Sequence, residues 1–404
     1  MQDKTTGLIH HPYVPPEGFA APQPGVHKAS TVFFPNVAAL RCREWKDKTG
    51  YTYGLHGTPT TYVLEERLAT LEGGAQCLLV PSGLAAIATV ALSLLQSGDE
   101  LLIPDNAYGP NKALAEGELR GWGITHQYYD PMDPQDLARR IGHRTRLVWL
   151  EAAGSVTLEF PDLRELLRVC RHANGGAGVI SALDNTWGAG LAFNPFDLAG
   201  EGGREGVDIS IHALTKYPSG GGDVLMGSIV TRDPSLHLRL KLTHMRLGLG
   251  VGANDVEAVL RALPSMALRY AAHDRTARTL AHWCQGRPEF AQVLHPALPA
   301  SPGHAHWQAL CGSAEGQAAG LFSVIFDARY TQAQVDAFCD ALRLFRLGYS
   351  WGGPVSLVVP YELATMRTRW PAHLARGTLV RFSTGLEAAE DLQADLAQAL
   401  AALR

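Results

Sequence analysis

A chain of 404 residues is too long for one small core, so the sequence predicts two main lobes. Hydrophobic residues make up 46% of it and charged residues 18%, a composition that folds and excludes a disordered polymer. The formal net charge of −4 supplies no broad basic field to neutralise a phosphate backbone, which argues against nucleic acid as a partner and for a small molecule.

Residues 1–18 are polar and proline-broken, without a signal-like apolar core. No apolar run approaches the ~20 residues of a membrane helix, so no membrane partner and a cytoplasmic address are expected. Residues 10–60 are rich in Pro, Gly and aromatics and lack periodicity, which predicts an extended arm lying on another surface, such as a neighbouring subunit. The apolar spacing of residues 62–72 then predicts an amphipathic helix, stopped by Gly73 and Gly74.

Beyond that helix, short apolar runs at 77–80, 100–104, 146–151, 178–184 and 228–231 alternate with helical patterns at 83–95, 111–120 and 163–172. This alternation predicts an α/β domain with a mostly parallel central sheet and helices on both faces. Ligands of such sheets sit at the carboxyl ends of the strands, so the loops starting at Pro81, Pro104, Glu151 and Asp184 are where chemistry is to be sought. Helical segments near 260–284 lead to a smaller α/β lobe with strands at 320–326 and 378–382 and a helix at 332–343. The expected division is an arm at 1–60, a main domain at 61–263 and a C-terminal domain at 264–404. The glycine-rich stretch 200–206 reads as a surface loop.

Six cysteines, Cys42, Cys77, Cys170, Cys284, Cys311 and Cys339, are scattered singly and read as reduced and structural. His304 and His306 lack a third ligand at metal spacing and read as part of a loop, so no metal is expected.

Four stretches carry chemistry only in combination. Lys216, in Ala213-Leu214-Thr215-Lys216-Tyr217, precedes the glycines at 220–222; a phosphate-binding P-loop has its lysine after them. Asp184, in Ser181-Ala182-Leu183-Asp184-Asn185-Thr186-Trp187, ends an apolar strand, where an acid can pair with a protonated heterocyclic nitrogen or cap a helix. Ser82, Gly83 and Leu84 join a strand end to a helix start, whose free amides suit a phosphate. Tyr108 follows another strand end and can stack on a flat ring. Each alone is also an ordinary turn, cap or loop residue.

Read together, these stretches resemble the Cys/Met-metabolism family of pyridoxal-phosphate (PLP) enzymes. The likeness runs from Tyr53-Gly54-Leu55-His56-Gly57-Thr58 through Asp184-Asn185-Thr186-Trp187 and Thr215-Lys216-Tyr217 to Tyr349-Ser350-Trp351-Gly352-Gly353 and Thr378-Leu379-Val380-Arg381. The resemblance implies fold type I, that of the aspartate aminotransferases. It further implies that Lys216 holds the cofactor as a Schiff base and later shuttles a proton, Asp184 faces the pyridine nitrogen and Tyr108 stacks on the ring. Ser82, Gly83, Leu84 and Thr215 would hold the phosphate, with Tyr53 reaching the cofactor and substrate of a neighbouring subunit. Arg381 would grip the substrate α-carboxylate, a task suited to a guanidinium fork, with Ser350 and Trp351 beside it.

The implied activity is α,β-elimination of L-cystathionine to homocysteine, pyruvate and ammonia, a step of methionine biosynthesis, by a homodimer or homotetramer. Trp351 favours β-elimination, since β-acting members show Ser-Trp-Gly-Gly where γ-acting ones often carry a small or aliphatic residue. A γ-acting enzyme is the alternative; a PLP-binding regulatory protein fits less well, because it needs no carboxylate clamp. Three departures from the family pattern stand out: Leu55 replaces an arm arginine, with His56 beside it as a substitute, Ala213 replaces a serine, and Pro354-Val355 follow the Gly-Gly.

Overall fold

The structure, a computed structural model, describes residues 17–18, 21–42, 44–199, 205–312, 314 and 316–403, together with Thr6. Most of the loop expected at 200–206, and nearly all of residues 1–16, lie outside the described residues.

Seven strands form the larger sheet: β1 (Gln76–Val80), β2 (Glu100–Pro104), β3 (Thr125–Tyr129), β4 (Thr145–Glu151), β5 (Ile180–Asp184), β6 (Ile209–Ala213) and β7 (Gly227–Thr231). Their order is β1-β7-β6-β5-β4-β2-β3. The pairs from β3 to β6 are parallel, while β7 runs antiparallel to both β6 and β1. Parallel neighbours need crossovers: the helix Gly109–Leu114 lies between β2 and β3 and the helix Leu163–Gly176 between β4 and β5, while the helices Gly83–Leu94 and Pro134–Arg140 join β1 to β2 and β3 to β4 across the sheet. Because helices cover both faces, β2 is apolar on both sides: Leu101, Leu102 and Ile103 are all fully buried. Leu102 packs with Leu64 and Leu68 of the helix Pro59–Glu72 on one face, whereas Leu101 and Ile103 pack with Ile87 and Val90 of Gly83–Leu94 on the other.

The helix Pro59–Glu72 begins three residues before the apolar spacing suggests, because Thr58 caps it in a reciprocal box with Thr61 and Pro59 pre-sets its first turn. Gly73, at φ 75°, ends it in the left-handed conformation. Polar composition hid β3 (Thr-His-Gln-Tyr-Tyr) from the sequence reading, and β6 is a five-residue strand that runs into the Lys216 stretch.

The smaller sheet comprises β8 (Phe290–Leu294), β9 (Leu321–Phe326), β10 (Arg346–Leu347), β11 (Leu357–Tyr361) and β12 (Leu379–Ser383), in the order β10-β11-β12-β9-β8. Only β10 and β11 pair in parallel. The two sheets share apolar packing: Trp307 and Leu321 belong to the same buried cluster as Leu64 and Leu183.

Two expectations are corrected. His304 and His306 lie in the first turn of a helix, His304–Cys311, rather than in a loop, and His304 Nδ1 lies 2.8 Å from the carbonyl of Pro296. The cysteines are free thiols, but Cys42 is exposed while the other five are buried.

Candidate active site

The carboxyl ends of β2, β4 and β5 bring three of the candidate positions together. Asp184 closes β5, and its Oδ1 accepts the amide N–H of Thr186 at 3.0 Å. Across the register stands Glu151, the last residue of β4, whose Oε2 accepts the N–H of Tyr108 at 2.8 Å. Burial raises the pKa of Asp184, opposed by Thr186, His212 and Lys216. Burial and the neighbouring Asp184 push Glu151 well above the usual carboxylate range. Tyr108 is 41% exposed, and its phenol is raised by burial and then by Asp184 and Glu151.

Lys216 enters from the turn after β6, where its N–H donates to the carbonyl of Ala213 at 3.0 Å. Its Nζ donates to Ser350 Oγ at 2.7 Å and stands 5.4 Å from the centre of the Trp351 ring. Burial, then the nearby Arg381 charge, hold the amine down to about 8, against the pull of Asp184. A lysine in this state has an appreciable neutral fraction near physiological pH.

Ser350 adopts φ 96°, an uncommon value for a residue with a side chain, while its carbonyl accepts from Arg381 Nη2 at 3.2 Å. Arg381 projects from β12, is 7% exposed and has the Tyr361 ring 5.6 Å from its Cζ. Its Nε–H is buried without a protein acceptor among the described residues. A guanidinium with an open, desolvated donor is suited to a carboxylate.

At the start of the helix Gly83–Leu94, Ser82 Oγ accepts the N–H of Ala85 at 3.0 Å, so this hydroxyl caps the helix. The first amides, including those of Gly83 and Leu84, have no acceptor within the helix. A Cβ on Gly83 would lie 2.7 Å from the Cβ of Ala213, and one on Gly227 would lie 2.3 Å from the Ser82 carbonyl oxygen. Glycine at both positions therefore lets helix start, β6 end and β7 start close into a backbone cradle. Thr215 Oγ1 accepts from Met226 N–H at 3.2 Å at its edge.

Tyr53 is not brought into this group. It bridges Thr31, is 46% exposed and meets His56 edge-on, with no contact to Lys216, Asp184 or Arg381 among the described residues. His56 stacks on Trp45 and lies 2.8 Å from Thr52 Oγ1, so within this chain it faces its own arm rather than the cradle. Tyr361 was missed in the sequence, and Glu151 was marked only as the start of a loop, with no role of its own. Glu151 carried a usable signal, an acid ending an apolar strand like Asp184, whereas Tyr361 reaches the site only through the pairing of β11 with β12.

An amine titrating near 8, an acid at a strand end, an exposed aromatic ring and an amide-rich glycine cradle fit a flat nitrogen heterocycle bearing an aldehyde and a phosphate. With the mostly parallel sheet, this defines the class: a PLP-dependent enzyme of the aspartate-aminotransferase fold.

The chain belongs to the Cys/Met-metabolism family of PLP-dependent enzymes, whose model matches residues 5–401. It is 39% identical over 403 residues to cystathionine beta-lyase of Bordetella avium, covering 97% of this chain and 96% of the relative. Cystathionine beta-lyase of Salmonella typhimurium is 34% identical, covering 93% and 92%. Among solved structures, cystathionine gamma synthase from Xanthomonas oryzae pv. oryzae in complex with cystathionine superposes with a TM-score of 0.83 at 29% identity, covering 96% of this chain and 95% of that one.

Proposed function

We propose that this enzyme cleaves L-cystathionine by α,β-elimination, releasing homocysteine, pyruvate and ammonia. The observation that carries the reading is the Lys216 amine, bonded to Ser350 and set over Trp351 in the Ser-Trp-Gly-Gly stretch. The beta-lyase names of relatives that cover nearly the whole chain support it.

When bound, PLP supplies an electron sink that makes the α-proton of an amino acid acidic. Lys216 would hold it covalently, Asp184 would pair with the pyridine nitrogen, and Tyr108 would lie on the ring. The amides of Gly83 and Leu84, with Ser82 and Thr215, would hold the phosphate. Arg381 fixes the substrate carboxylate, which orients the α-hydrogen towards the lysine. Lys216, neutral once free, takes that proton from Cα and returns it to the departing sulfur. Ser350 and Trp351 hold the amine in place and border the substrate side chain.

The chain divides in this reading into an arm at 1–60, a main domain at 61–263 and a C-terminal domain at 264–404. The arm would carry Tyr53 to the site of a second copy in a dimer or tetramer. Its outward apolar side chains support this, Phe33 being 93% exposed. No helix among the described residues is long and apolar enough to cross a membrane, and we assign a cytoplasmic address.

Purified, PLP-loaded protein mixed with L-cystathionine tests the reading. Pyruvate with homocysteine is the expected outcome. Release of 2-oxobutyrate with cysteine would replace β- by γ-cleavage, the second reading, favoured by the gamma synthase superposition. No oxo acid at all would overturn both. Lys216→Ala is expected to lower turnover by ~10²- to 10⁴-fold.

A further inference from the structure

Under the site, on the sheet face covered by the helix Pro59–Glu72, lies a buried polar row. The register sets His212 of β6 opposite Ser228 of β7. Asn185 follows Asp184 off β5, its N–H bonded to the Ile211 carbonyl at 2.9 Å. Alternation along the strands puts Asn185, Ser210, His212 and Ser228 on one face. All four are fully buried, as is Glu72 at the end of the covering helix.

Glu72 accepts from Ser210 Oγ and from His212 Nδ1, the latter at 3.2 Å. With Nδ1 donating to a carboxylate, Nε2 of the neutral imidazole is an acceptor, a tautomer assigned from this network. His212 Nε2, Ser228 Oγ and both amide atoms of Asn185 meet no protein hydrogen-bond partner among the described residues. The turn after β5 closes over the amide, since a Cβ on Gly188 would lie 2.4 Å from Asn185 Oδ1. Buried polar atoms are rarely left unsatisfied, and internal water commonly bridges two to four of them.

We propose that ordered water occupies this row and joins His212, Ser228 and Asn185, making Glu72 and His212 positioning residues for the strand end that presents Asp184. Water donates to His212 Nε2 and accepts from the Ser228 hydroxyl or the Asn185 amide. Asn185 is then held at both backbone and side chain, and the neighbouring carboxylate keeps one orientation. The positioning role rests on the reading of Asp184 as the partner of the pyridine nitrogen, whereas the water does not.

A crystal structure of the holoenzyme is expected to show water within hydrogen-bond distance of His212 Nε2 and Ser228 Oγ. A dry row, with these atoms paired to each other, would overturn the proposal. In solution, His212→Leu is expected to weaken PLP retention roughly tenfold and to shift the pH titration of the bound cofactor's visible absorbance. His212→Gln, which can still bridge, should restore both. Ser228→Ala, a milder change, should move them in the same direction by less. An unaltered titration in His212→Leu, with only a lower Tm, would refute the positioning role. Asp184→Asn is measured alongside: if it leaves the absorbance titration unchanged, the reading of Asp184 fails, and the positioning role falls with it while the water is still judged from the crystal.

Discussion

Asp184, Tyr108 and Ser82 stand at strand ends of one sheet, where strand register and short turns set their neighbours. Arg381, Ser350 and Trp351 come from the smaller sheet and its approaches, and Ser350 meets Lys216 across 134 residues of sequence. The first wall is made by repeating strand-helix units, but the second must be docked onto it. Docking has its own hardware. Glu159, buried, receives Arg367, and His373 Nε2 at 2.5 Å; Thr368 N–H donates to Asp105 at 3.1 Å, and Gly320 N–H to Tyr217 Oη at 2.7 Å. The lesson is that the second wall is held to the first by a few polar contacts that β-sheet geometry does not supply.

Removing the clamp is the strongest way to break this contrast. Arg367→Leu strips Glu159 of its chief counter-charge and is expected to cost ~3–5 kcal/mol of stability in denaturant titration. Substrate KM should rise while the absorbance of bound PLP changes little; an equal loss on both sides would show that the walls are not separable.

Arg381→Lys attacks the substrate wall alone. It keeps the charge but loses the fork, and kcat/KM for L-cystathionine should fall roughly 10- to 100-fold, with PLP retention unchanged. Loss of PLP instead would assign Arg381 to the wrong wall.

Ser350→Ala tests the hydrogen bond that ties the Lys216 amine to the second wall. The hydroxyl accepts from the charged amine and so favours its protonated form; its loss should move the Lys216 midpoint below about 8. The rate of amine acylation in PLP-free protein, followed against pH, reads this directly, and turnover should drop by about tenfold or less. An upward shift would contradict the hydrogen-bond direction.

The smallest effect comes from lowering the pH from 7 to 6. Burial depresses His295, beside the smaller sheet, to about 3 and His237, beside the larger one, to about 4. Both lie below the ordinary value of 6.5, so the unfolded chain binds more protons between the two values. The native advantage is therefore complete above about pH 6.5 and is lost progressively as the pH falls towards 4 and 3. Roughly half a kcal/mol per histidine is expected by pH 6. His295→Gln should flatten the slope measured by thermal melts; an unchanged slope would assign the acid sensitivity elsewhere.

The fold was legible because alternation of short apolar runs with helical periods is a local property. β2 was located at its observed bounds, and β1, β4, β5 and β7 to within a residue or two. β3 and β6, both interrupted by polar residues, were not, since pairing with neighbours rather than composition makes them strands. The helix start at Pro59 was missed although Thr58 and Pro59 announced it, because apolar spacing outweighed the cap. In the candidate site, Lys216, Asp184, Ser82 and Tyr108 drew notice through turn and strand-end chemistry. Glu151, marked only as a loop start, had the same signal, and Tyr361 had none.

The sequence by itself determined the α/β class, the strand ends at which the first wall is built and, through shared motifs, the family. Only the tertiary structure decided that Ser350 meets the Lys216 amine, that Arg381 keeps an open buried donor and that Glu151 stands beside Asp184. Strand and helix preferences act over a few residues, whereas desolvation, shared charge and hydrogen-bond direction arise only when segments far apart in the chain exclude water from one another.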